Sequence, residues 1–190
     1  MDRIYTEGQT YTGADFSASP LPCGDYENCI FITCNFSNAD LSGFQFNDCS
    51  FTGCNLSNAK LIQTAFREIQ FKGCKLTGLH FDNCHDFLFA AAFDNCTLNL
   101  SSFYQKKLAN TSFINCILHE VDFTASDLSK ALFNSCDLSG SIFDNTILEK
   151  ADFRTSYNYI INPEINHIKK AKFSISGVPG LLYQYNIEIE

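Results

Sequence analysis

The sequence predicts an all-β solenoid, a four-sided coil closed by a short C-terminal capping helix and strand. Three observations predict it. Large apolar side chains recur every five residues, a small residue or a thiol stands two places before most of them, and both series repeat at twenty. A five-residue period fits neither an amphipathic helix, with 3.6 residues per turn, nor an alternating strand, with two. The repeating object is therefore a solenoid unit rather than an ordinary element.

The large-residue series runs from Phe31 through Phe36, Leu41, Phe46, Phe51, Leu56, Leu61, Phe66, Phe71 and Leu76 to Phe81. It fails at Asp86, resumes two residues out of frame at Leu88, and continues from Phe93 to Phe153 without a miss. The small series includes Cys29, Cys34, Ala39, Cys49, Cys54 and Ala59, then Cys96, Cys116, Ala131, Cys136 and Ala151. Each unit thus turns one small and one large residue inward and shows three outward. Phe31, Phe51 and Phe71 lie twenty apart, as do Phe93, Phe113, Phe133, Phe153 and Phe173. Cys34, Cys54 and Cys74 keep the same spacing, and so do Cys96, Cys116 and Cys136. Four units therefore complete a turn. With the two extra residues near Asp86 and Phe87 bulging outward, eight Phe rings stack along one side and six thiols along an adjacent one.

Coils stacked this way lie about 4.8 Å apart and supply each other's backbone hydrogen bonds. About eight turns from Tyr11 to Phe173 give a rod of about 40 Å. Its ends expose unpaired backbone and need caps, so the chain divides into an N-terminal cap (1–10), the coil (11–173) and a C-terminal cap or dimerisation segment (174–190). In that last segment Ser176 is placed to cap a short helix, Pro179 suits its first turn, and Leu181, Leu182 and Tyr185 form one apolar face. Ile187 and Ile189 alternate with Glu188 and Glu190 like a short edge strand. The segment either closes the core of its own chain or pairs two chains about a two-fold axis.

Composition narrows the function classes. The chain carries 21 acidic against 13 basic residues, a formal charge of −8. Its beginning, MDRIYTEGQTYTG, has no apolar signal stretch, and no apolar run approaches the roughly 18–20 residues that span a bilayer. Ten cysteines in such a chain read as reduced thiols, so the expectation is a soluble, cytoplasmic protein with no membrane contact. An acidic surface argues against direct nucleic-acid binding and leaves a basic protein partner open. Nine of the ten cysteines occupy the inward small position and only Cys23 does not, which packing as small apolar groups explains. The C-x4-C spacing of Cys29 and Cys34 suits zinc poorly, and a ladder step of about 4.8 Å exceeds the Cβ separation of a disulfide, about 3.5–4.5 Å.

His80, Cys84 and His85 gather near the frame break without a fourth obvious ligand, while His119 and His167 are isolated. The N-x-S/T matches at Asn35 and Asn95 are what a repeat rich in Asn, Ser and Thr produces by chance. No phosphate-binding loop, nucleophile motif or pair of catalytic carboxylates is present, and a coil filled by Phe and Leu leaves no interior cleft. No catalysis, cofactor or metal is expected.

The units Asn38-Ala39-Asp40-Leu41-Ser42, Ala125-Ser126-Asp127-Leu128-Ser129 and Lys150-Ala151-Asp152-Phe153-Arg154 resemble the A(D/N)LXX consensus of pentapeptide-repeat proteins. The likeness spans roughly residues 11–173. The tail KKAKFSISGVPGLLYQYNIEIE resembles the C-terminal cap of the Qnr and MfpA branch. The resemblance implies a right-handed quadrilateral β-helix that forms a homodimer through its C-terminal module. It further implies a rod similar to B-form DNA in size and charge, which binds DNA gyrase and topoisomerase IV and protects them from quinolones.

The charge pattern limits how much mimicry to expect. Sorted by side, the outward residues put Asp40, Asp82, Asp122 and Asp144 on the side centred on Leu41, against Lys60 alone. The other sides mix signs. B-DNA carries about one charge per 1.7 Å, so about 40 Å of it carries more than twenty. Mimicry would therefore rest on that one acidic side, with ordinary solubility the alternative. The competing function is a rigid scaffold for a different, unidentified protein client. Several departures from the repeat matter too. Lys106 falls on an inward position where a charge is costly, so Tyr104 to Lys107 are expected to distort. Phe44, Ile69 and Leu79 are large where small is usual. No long loops interrupt the coil, and some Qnr proteins depend on such loops for drug protection. The stretch 155–167, with Pro163, breaks the pattern but keeps Phe153 and Phe173 twenty apart, as one irregular coil would.

Overall fold

The computed structural model describes residues 3–87 and 89–189. Leu88, where the large-residue series resumes, and Glu190, at the end of the expected edge strand, lie outside them. Eleven short strands are formed among the described residues: β1 (Ile4–Glu7), β2 (Thr10–Thr12), β3 (Gly24–Glu27), β4 (Ile30–Ile32), β5 (Gln45–Asn47), β6 (Ser50–Thr52), β7 (Ala65–Arg67), β8 (Ile69–Lys72), β9 (Ala91–Asp94), β10 (Ser112–Ile114) and β11 (Leu132–Asn134). They make two all-parallel sheets, ordered β1-β3-β5-β7 and β2-β4-β6-β8-β9-β10-β11. The first covers the side centred on Phe46 and the second the side centred on Phe31. The sides centred on Phe36 and Leu41 are joined by single bridges, such as Asn35 to Asn55 and Ser102 to Asp122. Bridges through Asp152 to Lys172 carry the Phe31 side beyond β11. The chain is thus a four-sided β-solenoid.

Phe31 lies opposite Phe51 and Phe51 opposite Phe71, the twenty-residue step read from the sequence. The rings of this ladder stack with centroids 4.6–5.5 Å apart from Phe31 to Phe173. Tyr11 adds one more ring, 5.0 Å above Phe31. On the Leu41 side, Phe81, Phe103, Phe123 and Phe143 form a second stack at 4.6, 5.4 and 5.2 Å. The two stacks meet edge to face, as between Phe103 and Phe113 at 82°. Stacking along the rod and edge contacts across it are the two arrangements aromatic quadrupoles favour. Phe44, Ile69 and Leu79 are all buried in the same core.

The inward small position does more than save space. Cys54, Cys74 and Cys136 donate their thiols to the carbonyls of Phe31, Phe51 and Phe113, one turn back, at 3.2–3.3 Å. The hydroxyls of Thr64, Thr146 and Ser156 and the amide of Asn166 bond the equivalent carbonyls of Leu41, Phe123, Phe133 and Phe143 at 2.7–2.9 Å. The position selects a compact hydrogen-bond donor. Burial pushes the thiols of Cys34 and Cys84 up, and that of Cys49 to about 12, so they keep their protons at neutral pH. All ten cysteines are free, nine buried and Cys23 exposed.

Each corner falls on the residue just before the inward small position, which adopts a left-handed backbone. Asn28, Asn38, Asn58 and Asn110 have φ of 53°, 57°, 56° and 65°, and Lys130, Lys150 and Lys170 have 60°, 61° and 60°. Asn tolerates that conformation best after glycine, while a lysine gains nothing locally from it.

Three expectations are corrected. The ladder starts ahead of the expected boundary at residue 11: β1 pairs with β3, Ile4 opposite Gly24. The apolar–polar alternation of IYTE is enough for a strand once a neighbouring turn supplies the ladder. Second, Tyr104 to Lys107 do not distort. Lys106 keeps its turn bond to the carbonyl of Phe103 (3.0 Å), and Lys107 bridges Asp127. The irregularity lies one turn back, in the frame slip, and the lysine uses it. Bonding is regular at His85, which donates to Thr64, and again where Ile69 donates to Ala90. The slip lies between these two bonds, and Phe87 is 63% exposed. Lys106, 2% exposed, reaches into the slack. Its ammonium donates to the carbonyl of Cys84 at 2.5 Å and to Asp86 at 2.6 Å, and lies 5.5 Å from the centre of the Phe89 ring. That bond holds the Asp86 carboxyl below the usual carboxylate range. Both ladders cross the slip in phase, with Phe93 stacked on Phe71 and the Cys96 thiol on the Phe71 carbonyl. The third correction, to the helix cap, belongs with the C-terminal segment below.

Two measurements test this core. Asp86→Ala leaves the buried ammonium with one carbonyl and should cost about 1–3 kcal/mol in urea unfolding. Adding Lys106→Met to it should recover most of that loss, since an apolar side chain needs no counter-charge. Equal midpoints for the single and double variants would show that the pair is not coupled. A thiol reagent should modify one cysteine, Cys23, rapidly in the folded protein and all ten after unfolding without reductant; fewer than ten would reveal a disulfide.

Candidate functional site

The four acidic residues singled out in the sequence do lie on the Leu41 side, but in two columns. Asp40, Lys60, His80, Ser102, Asp122 and Ile142 follow one another along one column, where bridges join Asp40 to Lys60 and link His80 through Ser102 and Asp122 to Ile142. Asp82 and Asp144 stand on the other flank of the same side, each one residue after its inward Phe. The fold does not gather the four into a cluster. Asp40 accepts the backbone N–H of Ser42 at 3.0 Å and Asp122 that of Thr124 at 2.8 Å. Asn35 and Asn55 make the same local bond to Ser37 and Ser57. Asp40 and Asp122 therefore perform a turn-forming task that asparagine performs elsewhere. The bonds from Ser42, with a smaller contribution from the Lys60 ammonium, hold the Asp40 carboxyl below its ordinary range.

Counter-charges separate this side from the others. On the Phe36 side His119 lies 2.8 Å from Asp137. Desolvation pushes Asp137 up, but bonds from His119, Ser139 and Asn158 outweigh it and hold the carboxyl at about 2. On the Phe31 side Arg154 and Lys172 lie 2.7 and 3.6 Å from Asp152. On the Leu41 side only Asp82 has such a neighbour, His80 at 3.3 Å, and its inner oxygen finds no hydrogen bond. Asp40, Asp122 and Asp144 have no cation within 4 Å among the described residues. Exposed apolar residues share the side: Ile62, Tyr104 and Ile142. The surface is acidic and apolar by turns, not evenly negative.

The C-terminal segment closes its own coil. The Ser174 hydroxyl, not Ser176, accepts the Gly177 N–H at 3.1 Å and starts a 3-10 turn over Ile175–Gly177. Ser176 lies too late to cap it. Helix α1 (Pro179–Leu182) follows, with Pro179 in its first turn as expected, and then a second 3-10 turn, Tyr183–Tyr185. The Gly180 carbonyl accepts the Ile161 N–H at 3.1 Å. A Cβ on Gly180 would stand 2.1 Å from the Tyr159 carbonyl oxygen, so only glycine allows the approach. Leu181 packs on the core. Of the expected dimerisation residues, Leu181 is thus engaged within the chain and Leu182 is half-buried, while Tyr185, Ile187 and Ile189 are exposed. The Tyr185 hydroxyl donates to Glu164 at 2.7 Å. Residues 186–189 pair with no strand among the described residues, so the expected edge strand has no partner within the chain.

Cys84 is buried, whereas His80 and His85 are exposed. Among the described residues no group of three or more His, Cys, Asp or Glu side chains is placed to hold a metal ion, and no helix is long and apolar enough to cross a membrane.

Two stretches, residues 25–86 and 87–157, match the family model of the pentapeptide repeat region. The chain is a pentapeptide-repeat protein. The boundary between the two matched stretches falls inside the frame slip. No curated protein matches the chain. Among solved structures it is similar to HetL, a pentapeptide-repeat protein involved in heterocyst differentiation regulation from the cyanobacterium Nostoc sp. That likeness has 18% identity over 92% of this chain and 86% of HetL, with a TM-score of 0.59. It is also similar to QnrB1, a plasmid-mediated fluoroquinolone resistance protein, with 21% identity over 98% of this chain and 100% of that one and a TM-score of 0.46. At 18% identity the likeness to HetL is one of fold. Sequence reasoning missed the corner residues of this pentapeptide-repeat coil, because sorting by side assigns a corner to neither neighbour. The frequency of Asn and Gly just before the inward small position was the available signal.

Proposed function

We propose that this protein is a non-enzymatic docking rod of the cytoplasm that binds DNA gyrase or topoisomerase IV as a partial mimic of duplex DNA. The observation that carries the reading is that, among the described residues, Asp122 and Asp144 on the Leu41 side have no cation within 4 Å and Asp40 has only the more distant Lys60, in a rod whose core is filled throughout by side chains. Such a rod can act only through its surface, and an uncompensated acidic side attracts a basic groove over distances of several ångströms. The likeness of the tail to the Qnr and MfpA cap supports the choice of client. It also supports a homodimer, in which Tyr185, Ile187 and Ile189 of two copies would cover one another about a two-fold axis.

A second reading, a scaffold for a different protein client, is favoured by Ile62, Tyr104 and Ile142. Exposed apolar residues are common at protein interfaces, and a duplex DNA surface has no counterpart to them.

A supercoiling assay with purified gyrase, with and without ciprofloxacin, tests the first reading. The protein should inhibit supercoiling, and charge reversal of Asp82, Asp122 and Asp144 together should weaken the effect; relief of the drug's inhibition would show protection as well. Absence of inhibition, drug relief and gyrase binding alike would leave the scaffold reading. For the dimer, truncation after Ser174 should yield monomers or aggregates in sedimentation, and a truncated protein that remains a dimer would place the contact elsewhere.

A further inference from the structure

A stack of near-identical turns gives a partner no fixed place to bind, because a slide of one turn, about 4.8 Å, presents almost the same surface. Between Tyr26 and Phe153 the described coil has one break in that sameness, the two-residue slip. On the Phe46 side β7 is the last strand of its sheet. Bridging there resumes, among the described residues, only between Lys107 and Asp127. Where the slip coil turns from the Phe46 side to the Phe31 side it leaves a concavity of about 450 Å³, within the range that accepts a small ligand or a few side chains.

The concavity is built asymmetrically. Alanines make up much of its lining, with Phe89 beside them and Lys107 on the lip farther along the chain. The opposite lip carries Asp48 and Glu68, corner residues of successive turns, both with φ of 51°. Both are exposed, and neither has a cation within 4 Å among the described residues. The adjacent cation, Arg67, is occupied with Gln45 and Asn47, at 2.9 Å each. The notch is also propped from within, since the buried Lys106 ammonium lies under the Phe89 ring and is bonded to Cys84 and Asp86.

We propose that this notch receives a basic side chain, preferably arginine, on a protruding segment of a protein partner, and so fixes the partner's register along the rod. An arginine stem can lie along the alanine lining while its planar fork reaches both carboxylates. Lys107 repels the same charge from the opposite lip and sets the direction of approach. The inference rests on the protein-docking reading and moves its register-setting contact to an edge that does not border the Leu41 side.

The test uses the full chain, labelled with nitrogen-15, and a blocked Gly-Arg-Gly tripeptide as probe. Saturable shifts should concentrate on the amides of Glu68, Ala91 and Asn110, and a blocked Gly-Glu-Gly tripeptide should not produce them. The charge-neutral variant Asp48→Asn/Glu68→Gln should bind the arginine probe at least tenfold more weakly while the amides of the Phe31 ladder keep their positions. Shifts spread over Asp40, Asp122 and Asp144, no saturable shift, or unchanged binding by the variant would each overturn the proposal. A gyrase arm separates the two ideas. Gyrase that binds the wild-type chain and the variant equally overturns the notch as the register point. A chain that takes the arginine probe in the notch yet binds no gyrase overturns the gyrase reading alone.

Discussion

Each turn of this coil must lie one strand spacing from the next, and the inward side chains must make that spacing comfortable. Aromatic rings meet the requirement because face-to-face offset stacking prefers nearly the same separation, and the Phe31 ladder keeps to 4.6–5.5 Å from end to end. The compact inward residue is bound by the same spacing. A thiol, hydroxyl or amide there can reach the carbonyl one turn back, so Cys54, Thr64, Ser156 and Asn166 are interchangeable in role though not in polarity. A purely apolar alanine fits but adds no donor. The cysteine content of this chain thus reflects two demands on one position, size and a proton to give, and at Cys49 burial keeps that proton in place.

The slip shows how rigid the constraint is. Two additional residues are not absorbed by stretching the ladder, since Phe93 still stacks on Phe71. They are expelled on one side, where the sheet of β1, β3, β5 and β7 ends. The space left beneath is filled by the one buried side chain long enough to cross it and carry a charge to its edge. Lys106 would be costly in a regular turn. Here the carbonyl of Cys84 and the largely hydrated carboxylate of Asp86 receive its ammonium, so only one member of the pair is fully desolvated. The lysine and the insertion compensate each other across one turn.

That reciprocity marks the boundary of what the sequence made legible. The ladders, the four-sided closure, the place of the slip and the shared side of Asp40, Asp82, Asp122 and Asp144 all follow from spacing, which is a local property. The destination of Lys106 does not, because it depends on slack created twenty residues earlier. The distortion expected at Tyr104 to Lys107 came from treating the turn as isolated. The C-terminal cap is similar: Ser174 and Ser176 are equivalent as residue types, and Ser174 caps a 3-10 turn that precedes the helix and that the apolar pattern did not show. Spacing also does not show that Asp40 and Asp122 shape their own turns.

A repetitive rod divides attraction from positioning. Charges distributed along the Leu41 side act over several turns and are nearly indifferent to a shift of one, so they draw a partner in without telling it where to stop. Selectivity of position requires a feature that occurs once. Corner residues are suited to supply it, because they project farthest and their left-handed backbone leaves the side chain free of the ladder. Along the edge between the Phe46 and Phe31 sides those residues change from Asp48 and Glu68 before the slip to Lys130, Lys150 and Lys170 after it, a reversal of sign with the notch between. Three lysines in a conformation that asparagine adopts more readily make no side-chain hydrogen bond or ion pair among the described residues. Their placement gives the edge a polarity that the regular sides lack, so a partner with a matching charge gradient would dock in one direction only.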